Sequence, residues 1–550
     1  MARIRNVAIE FSRLTLLPLI IALLFYYIIP ISNFERISIV SVTASINLII
    51  WMFIIFQIIF ILGCFYLRKF KFILHFNLYF TFIYVLAIKL LINGLILKGT
   101  PLPKSDIRGD LLAIVQLAQR AETNYWSGSG YPPLWPSLIG NLARVFDVHV
   151  LSIFKPIEFM LLLVSPLLIY SCWKLVVKKW IALVLVIQLM LITNFDYKTL
   201  ALNLLIPLVI YIIRQSYFQD ENNLWIRIRQ LFYGGIIGFI SMLYFGYIYW
   251  LTPFLIIVII ASLFSTKRFK LLELISYFYL GLGFVLGPII HHIAELDIAQ
   301  FYVLILASIL FLEISRKYFK SFKYIHIFTS MLITFILFKV FFQYRAIDTW
   351  FEGGVAENNP TTNPILSLEK FNLLLLGLFL FLIFKFLVDI ELSIIISIVL
   401  GIYLSSTIFM YLIASQMQVS RRVDLWPRAQ EVQSYSINLM FLLILLFIVD
   451  ILAKKYNFEK FISTASSTVL LPAIFGLVLV GSYFVSTLGG QAFYSMPYHA
   501  LNGAWYAHQG CSNPQKDPML AKVFENYPDI QDFLRAKCSL VTWEKIPAIK

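Results

Sequence analysis

Charge is what this 550-residue chain has least of. Asp, Glu, Lys and Arg make up 13% of it, against the ~25% that a soluble domain carries. With 60% hydrophobic and 17% aromatic residues, that deficit excludes a soluble globule and predicts an all-α polytopic membrane protein. Cysteine is scarce too, at four residues. Cys64 and Cys172 fall inside apolar runs and read as inert packing residues. Cys511 and Cys538 lie in a polar C-terminal stretch, where a disulfide and two reduced thiols both stay open. Several catalytic signatures are missing: a Gly-rich nucleotide loop in a βαβ context, zinc-type Cys/His spacing and a nucleophile elbow. Internal repeats and low-complexity tracts are missing as well.

What is present is a series of apolar runs with short polar connections. About fifteen runs are candidate spans, several of them short, so the expected bundle has about 13–15 transmembrane helices. The basic N-terminal stretch followed by an apolar run reads as a first span rather than a cleaved signal peptide. The net charge of +15 comes from 44 basic and 29 acidic residues. The basic residues cluster in alternate connections, including 68–71, 174–179, 214–230, 265–270, 315–323 and 453–460. That alternation is the positive-inside pattern and argues against nucleic acid as a partner. It predicts a cytoplasmic N-terminus and an extracytoplasmic C-terminus in the plasma membrane. The expected organisation is a membrane domain over 1–488, with long outward loops at 98–149, 343–370 and 415–435, then an extracytoplasmic segment over 489–550.

The first outward loop concentrates the chemistry. Its stretch 111–121, LLAIVQLAQRA, has apolar residues at helical spacing and predicts an amphipathic helix along the membrane surface. Asp110 stands at its start, where it can act as a helix cap or as a carboxylate fixed at the interface. The prolines of YPPLWPSLIGNLARVF (131–146) predict a break in regular structure before the chain returns to lipid. Tyr125, Trp126, Tyr131 and Trp135 suit either an aromatic belt or the lining of a sugar or lipid site.

An interfacial carboxylate suits one reaction, in which an acceptor hydroxyl attacks a sugar carried on a lipid phosphate. The carboxylate takes the hydroxyl proton as general base, and positive charge stabilises the departing phosphate. Arg421, Arg422 and Arg428 in the third outward loop, and Arg345 in the second, are candidate phosphate ligands. Headgroup contacts, or pairs with Asp424 or Glu431, are the alternative for them. His291 and His292 are adjacent and point in different directions on a helix, so by themselves they make no two-ligand metal site.

The segment 109–146 resembles the corresponding loop of the galactan arabinofuranosyltransferases, within the GT-C class of membrane glycosyltransferases. The residues that carry the resemblance are Asp110, Asn124-Tyr125, Tyr131-Pro132-Pro133, Trp135 and Gly140-Asn141-Leu142-Ala143. It covers about forty residues. It implies a GT-C-like bundle and an inverting transfer from a polyprenyl-phosphate-linked sugar to a cell-envelope glycan or lipid-linked acceptor. Asp110 would then be the catalytic base, with Asp106 the competing candidate in the same loop. No organic cofactor is implied. A divalent cation, if the donor requires one, would be held by Asp106 and Asp110. The competing functions are a transporter or flippase for lipid-linked saccharides and a polysaccharide polymerase or ligase. A transporter would line a midplane path with charge and carry paired repeats, whereas the polar residues here gather toward one face.

Overall fold

The computed structural model describes, with a few gaps, residues 12–24, 78–90, 110–125, 134–192, 197–218, 224–244, 277–285, 302–314, 390–408 and 419–455, and Glu525. The described residues are almost entirely helical, with no strand among them. Among the described residues, three helical stretches are long and apolar enough to cross a membrane: Val150–Val176, Tyr197–Gln215 and Glu431–Ile448. Shorter apolar helices run over Leu14–Leu24, Lys179–Met190 and Ile394–Thr407. Of the other expected spans, those at 73–97, 231–248, 271–290 and 299–314 are described in part; those at 38–67, 252–265, 324–342, 371–387 and 465–488, the second outward loop and the boundary at 488/489 lie outside the described residues.

The chain divides into two compact units. One comprises Met1–Ser127, Trp135–Leu200 and Leu452–Lys550; the other comprises Gly128–Leu134 and Ala201–Ile451. In the first unit, α1 (Asp110–Asn124) packs on α3 (Val150–Val176), and α3 packs on α4 (Lys179–Ile192). Between α1 and α3 lies α2 (Leu134–Phe146). The 27 residues of α3 reach about 40 Å at 1.5 Å per residue, enough for the ~30 Å hydrocarbon layer and part of the headgroup region. Pro156 and Pro166 lie inside it, which membrane helices tolerate because neighbouring groups satisfy the freed backbone. Cys172 is a half-buried free thiol of the same helix.

Where α2 forms, the prolines were expected to break regular structure. The helix instead starts directly after Pro132-Pro133, and Pro136 is its third residue. The amides of the first turn have no partner inside a helix, so a proline there costs no helical hydrogen bond.

The second unit holds most of α5 (Tyr197–Phe218), then α6 (Leu224–Ser241), α7 (Ile390–Ile408) and most of α8 (Val419–Lys455). The expected connection 214–230 shrinks, because α5 continues to Phe218 and α6 resumes at Leu224. The expected loop 415–435 is mostly helical. Arg, Leu, Ala, Gln and Glu are good helix formers, and they carry the helix through this polar stretch into the apolar one. At 37 residues, α8 is about 55 Å long, well beyond the hydrocarbon thickness.

Close approach of backbones holds α6 against the helical segment 277–285. A Cβ on Gly234 would collide with the Phe278 carbonyl oxygen, and one on Gly281 with the Leu231 carbonyl oxygen. Small residues let helices meet in this way where no hydrophobic force separates helix from lipid. The pairing of α7 with α8 is polar. The Gln433 side-chain amide donates to Thr407 Oγ1 at 3.1 Å and to Tyr403 Oη at 3.4 Å. Gly281→Val should force the crossing apart and destabilise the protein by about 1–3 kcal/mol. The expected readout is a lower Tm for the detergent-solubilised chain, with Gly235→Ala as the mild control, since a Cβ there meets only Val285 at 3.4 Å.

Candidate functional site

The segment that carries the sequence candidates is built around the end of α1. A helix leaves its last four carbonyls without partners, and here α2 supplies side chains to two consecutive stretches of that end. Arg144 Nη1 donates to the Glu122 carbonyl at 3.3 Å. Arg144 Nη2 donates to Asn141 Oδ1 at 2.6 Å. Asn141 Nδ2 in turn donates to the Tyr125 carbonyl at 3.0 Å and to the Ser137 carbonyl of its own helix at 2.7 Å. A cation at a helix C-terminus is also favoured by the helix dipole.

Tyr125 completes the clasp. Its φ of 63° puts it in the left-handed region directly after α1, a position that glycine usually fills. A side chain there costs about 1–2 kcal/mol, which the bonds to its carbonyl and ring offset. The Arg144 guanidinium carbon sits 3.6 Å from the centroid of the Tyr125 ring, a favourable cation–π geometry. The residue as a whole remains 69% exposed. Lower in the hairpin, Gly140 permits direct contact of the two helices. A Cβ there would meet the Ala118 carbonyl oxygen and approach Ala121 Cβ and the Glu122 nitrogen at 2.9 Å.

The corner between α2 and α3 is equally well capped. The Val148 amide donates to the Ala143 carbonyl at 3.0 Å and the Asp147 amide to the Arg144 carbonyl at 3.3 Å. With Asp147 at φ 51°, this is a Schellman closure. His149 then caps α3, its Nδ1 accepting from the Leu151 amide at 3.2 Å.

The sequence candidates fall in different places on this frame. Asp110 is the first residue of α1 and Tyr125 follows its last. Fifteen residues of helix separate their backbones by about 20 Å, so a single sugar ring cannot touch both. Trp135 is 3% exposed and stacked on Tyr197, with ring centroids 5.1 Å apart and planes 13° apart. It is a packing residue of the first unit, and its stack fixes the start of α2. Arg421, Arg422 and Arg428 lie on the helical backbone of α8, in the second unit. Asp106, Trp126, Tyr131, Arg345, His291, His292, Cys511 and Cys538 lie outside the described residues. Among the described residues, no three His, Cys, Asp or Glu side chains gather as a metal site would need.

The residues that sequence reasoning missed are Arg144 and, as a working side chain, Asn141. Their three-residue spacing puts them on one helix face, which was the available signal. What they cap lies sixteen and twenty-two positions earlier in the chain. Comparison with family models, with curated proteins and with solved structures gives no match.

Arg144→Ala should unmake the clasp and leave the Glu122 carbonyl and the Asn141 Oδ1 short of a donor. The expected cost is about 1–3 kcal/mol, read as a lower Tm together with faster proteolysis between 125 and 133. Lysine at position 144 keeps the charge but not the two-armed geometry, and should recover only part of the loss.

Proposed function

We propose that this chain is a membrane glycosyltransferase of GT-C type. It moves a sugar, arabinofuranose in the form the resemblance implies, from a polyprenyl-phosphate donor to a cell-envelope glycan or lipid-linked acceptor at the outer face of the plasma membrane. Asp110 acts as general base on the acceptor hydroxyl. The reading is supported chiefly by Asp110 opening a helix whose far end is clasped and whose flank rests on the long apolar helix α3. A base must be held in a fixed geometry to be useful, and a carboxylate on a clamped helix near a membrane-length helix meets that need.

The ~20 Å between Asp110 and Tyr125 along α1 divides the work. The reacting sugar belongs at the Asp110 end. Tyr125, exposed and with its ring backed by Arg144, is available to a more distant unit of an extended acceptor or to the lipid.

Asp110→Asn should lower transfer from polyprenyl-phosphoryl sugars in membranes by about 10²–10⁴-fold, the usual contribution of a general base. Asp106→Asn should leave most activity. If Asp106 carries the loss instead, the base moves there. Full activity in both variants ends the carboxylate mechanism. Donor that crosses the membrane without being consumed makes the protein a transporter.

A further inference from the structure

The amphipathic pattern of 111–121 marks α1 as the surface helix, yet from Ile114 onward its apolar face is already occupied. Val115, Ala118 and Ala121 are 0% exposed, and Ile114 and Leu117 are 4% exposed. Among the described side chains of α1, those of 114–124, the exposed ones are polar: Arg120, Thr123 and Asn124.

The next helix shows the opposite arrangement. One face of α2 is buried through Trp135, Ile139, Gly140 and Ala143. A polar edge follows, formed by Asn141 and Arg144 and committed to the end of α1. Beyond it, Leu138, Leu142 and Val145 recur at helical spacing, i, i+4 and i+7, with Phe146 beside them. Leu138 is 42% exposed, Val145 72% and Phe146 64%, while Leu142 is half-buried. Val148, just past the helix, is exposed as well.

We propose that α2, not α1, is the helix of this segment that lies in the bilayer surface, with Leu138, Leu142, Val145 and Phe146 among the acyl chains and Arg144 at headgroup level. The inference rests on α3 crossing the membrane and is independent of the reaction catalysed. Two observations make the bilayer the occupant. First, only three residues lie between Phe146 and the start of α3, in a corner capped on both sides. An α3 of about 40 Å overreaches a ~30 Å hydrocarbon layer, so its end, and the end of α2 joined to it, fall in the headgroup region. Second, α3 exposes large apolar side chains of its own, Met160, Leu168 and Leu175, as a helix facing lipid does. An arginine bordering an apolar stripe is the composition of an interfacial helix. The clasp on α1 keeps that edge turned to one side, so the stripe cannot roll inward without breaking the Arg144 and Asn141 bonds.

Nitroxide labels test the assignment in the full chain, reconstituted in phosphatidylcholine–phosphatidylglycerol nanodiscs with the four cysteines replaced by serine. Single cysteines go in as Val145→Cys and Leu138→Cys on α2, Arg120→Cys on α1 and Leu168→Cys on α3. Collision with oxygen, which partitions into lipid, is compared with collision with a water-soluble nickel chelate. The expected result is an oxygen-favoured ratio at 145 and 138, shallower than at 168, with the preference reversed at 120. Nickel-favoured ratios at 145 and 138, with 168 still in lipid, overturn the proposal. Shielding from both reagents at 145 and 138 overturns it too, since protein, a second copy included, then covers the stripe. A nickel-favoured 168 refutes the spanning role of α3 and the proposal with it. Because 138 and 145 sit at opposite ends of the stripe, a fold defect from one substitution does not remove the other measurement.

Discussion

A helix end must give its last carbonyls to something, and the first unit depends on how α1 meets that demand. Arg144 and Asn141 reach back from α2 to the Glu122 and Tyr125 carbonyls, and Arg144 also covers one face of the Tyr125 ring. That single exchange fixes the orientation of α2 on α1, holds Tyr125 in a left-handed conformation, and aims the other faces of α2. One of those faces packs through Gly140 and Trp135, and the remaining one is left bare and apolar. The position of Asp110 at the far end of α1 is a consequence as well, because a helix clamped at one end and packed along its flank has little freedom at the other.

The same rule operates inside the apolar helices, where water is no help. Ser405, Ser406 and Thr407 donate back to carbonyls of their own helix, and Ser436 does so on α8. Gln433 reaches across to Thr407 and Tyr403. Such bonds add modestly to helix association in membranes, since the separated helices find other partners. Their stronger effect is on register, because only one rotation of α8 brings Gln433 to Thr407. Where side chains are removed altogether, as at Gly234 and Gly281, backbone contact sets the register instead.

Sequence pattern was most legible where one apolar run met one helix. The helix expected over 111–121 is there, extended to Asp110–Asn124, and the span expected at 150–173 is Val150–Val176. Legibility failed where a local signal had a second meaning. Proline signals a break in a helix interior and an ordinary start in a first turn, so YPPLWPS concealed the beginning of α2. A polar run between spans signals a loop, yet Arg, Gln, Glu and Ala propagate a helix readily, and α8 runs through it. The candidate site was legible as a segment but not as an arrangement. Tyr125 and Asp110 were candidates for one site and are a full helix length apart, while Trp135, read as belt or site lining, is packed in the interior.

By itself, the sequence determined the helical class, the apolar stretches long enough for a membrane, and the presence of a carboxylate at the head of α1. Each of these follows from composition and period, which are local properties of the chain. Tertiary structure alone decided which apolar face is covered. Amphipathicity states that a helix has a side that avoids water, and it is silent on whether protein or lipid meets that side. For α1 the answer is protein, because Gly140 lets α2 close onto Ala118 and Ala121. For α2 the stripe through Leu138 and Val145 is left open, because the Arg144 clasp turns it away from α1.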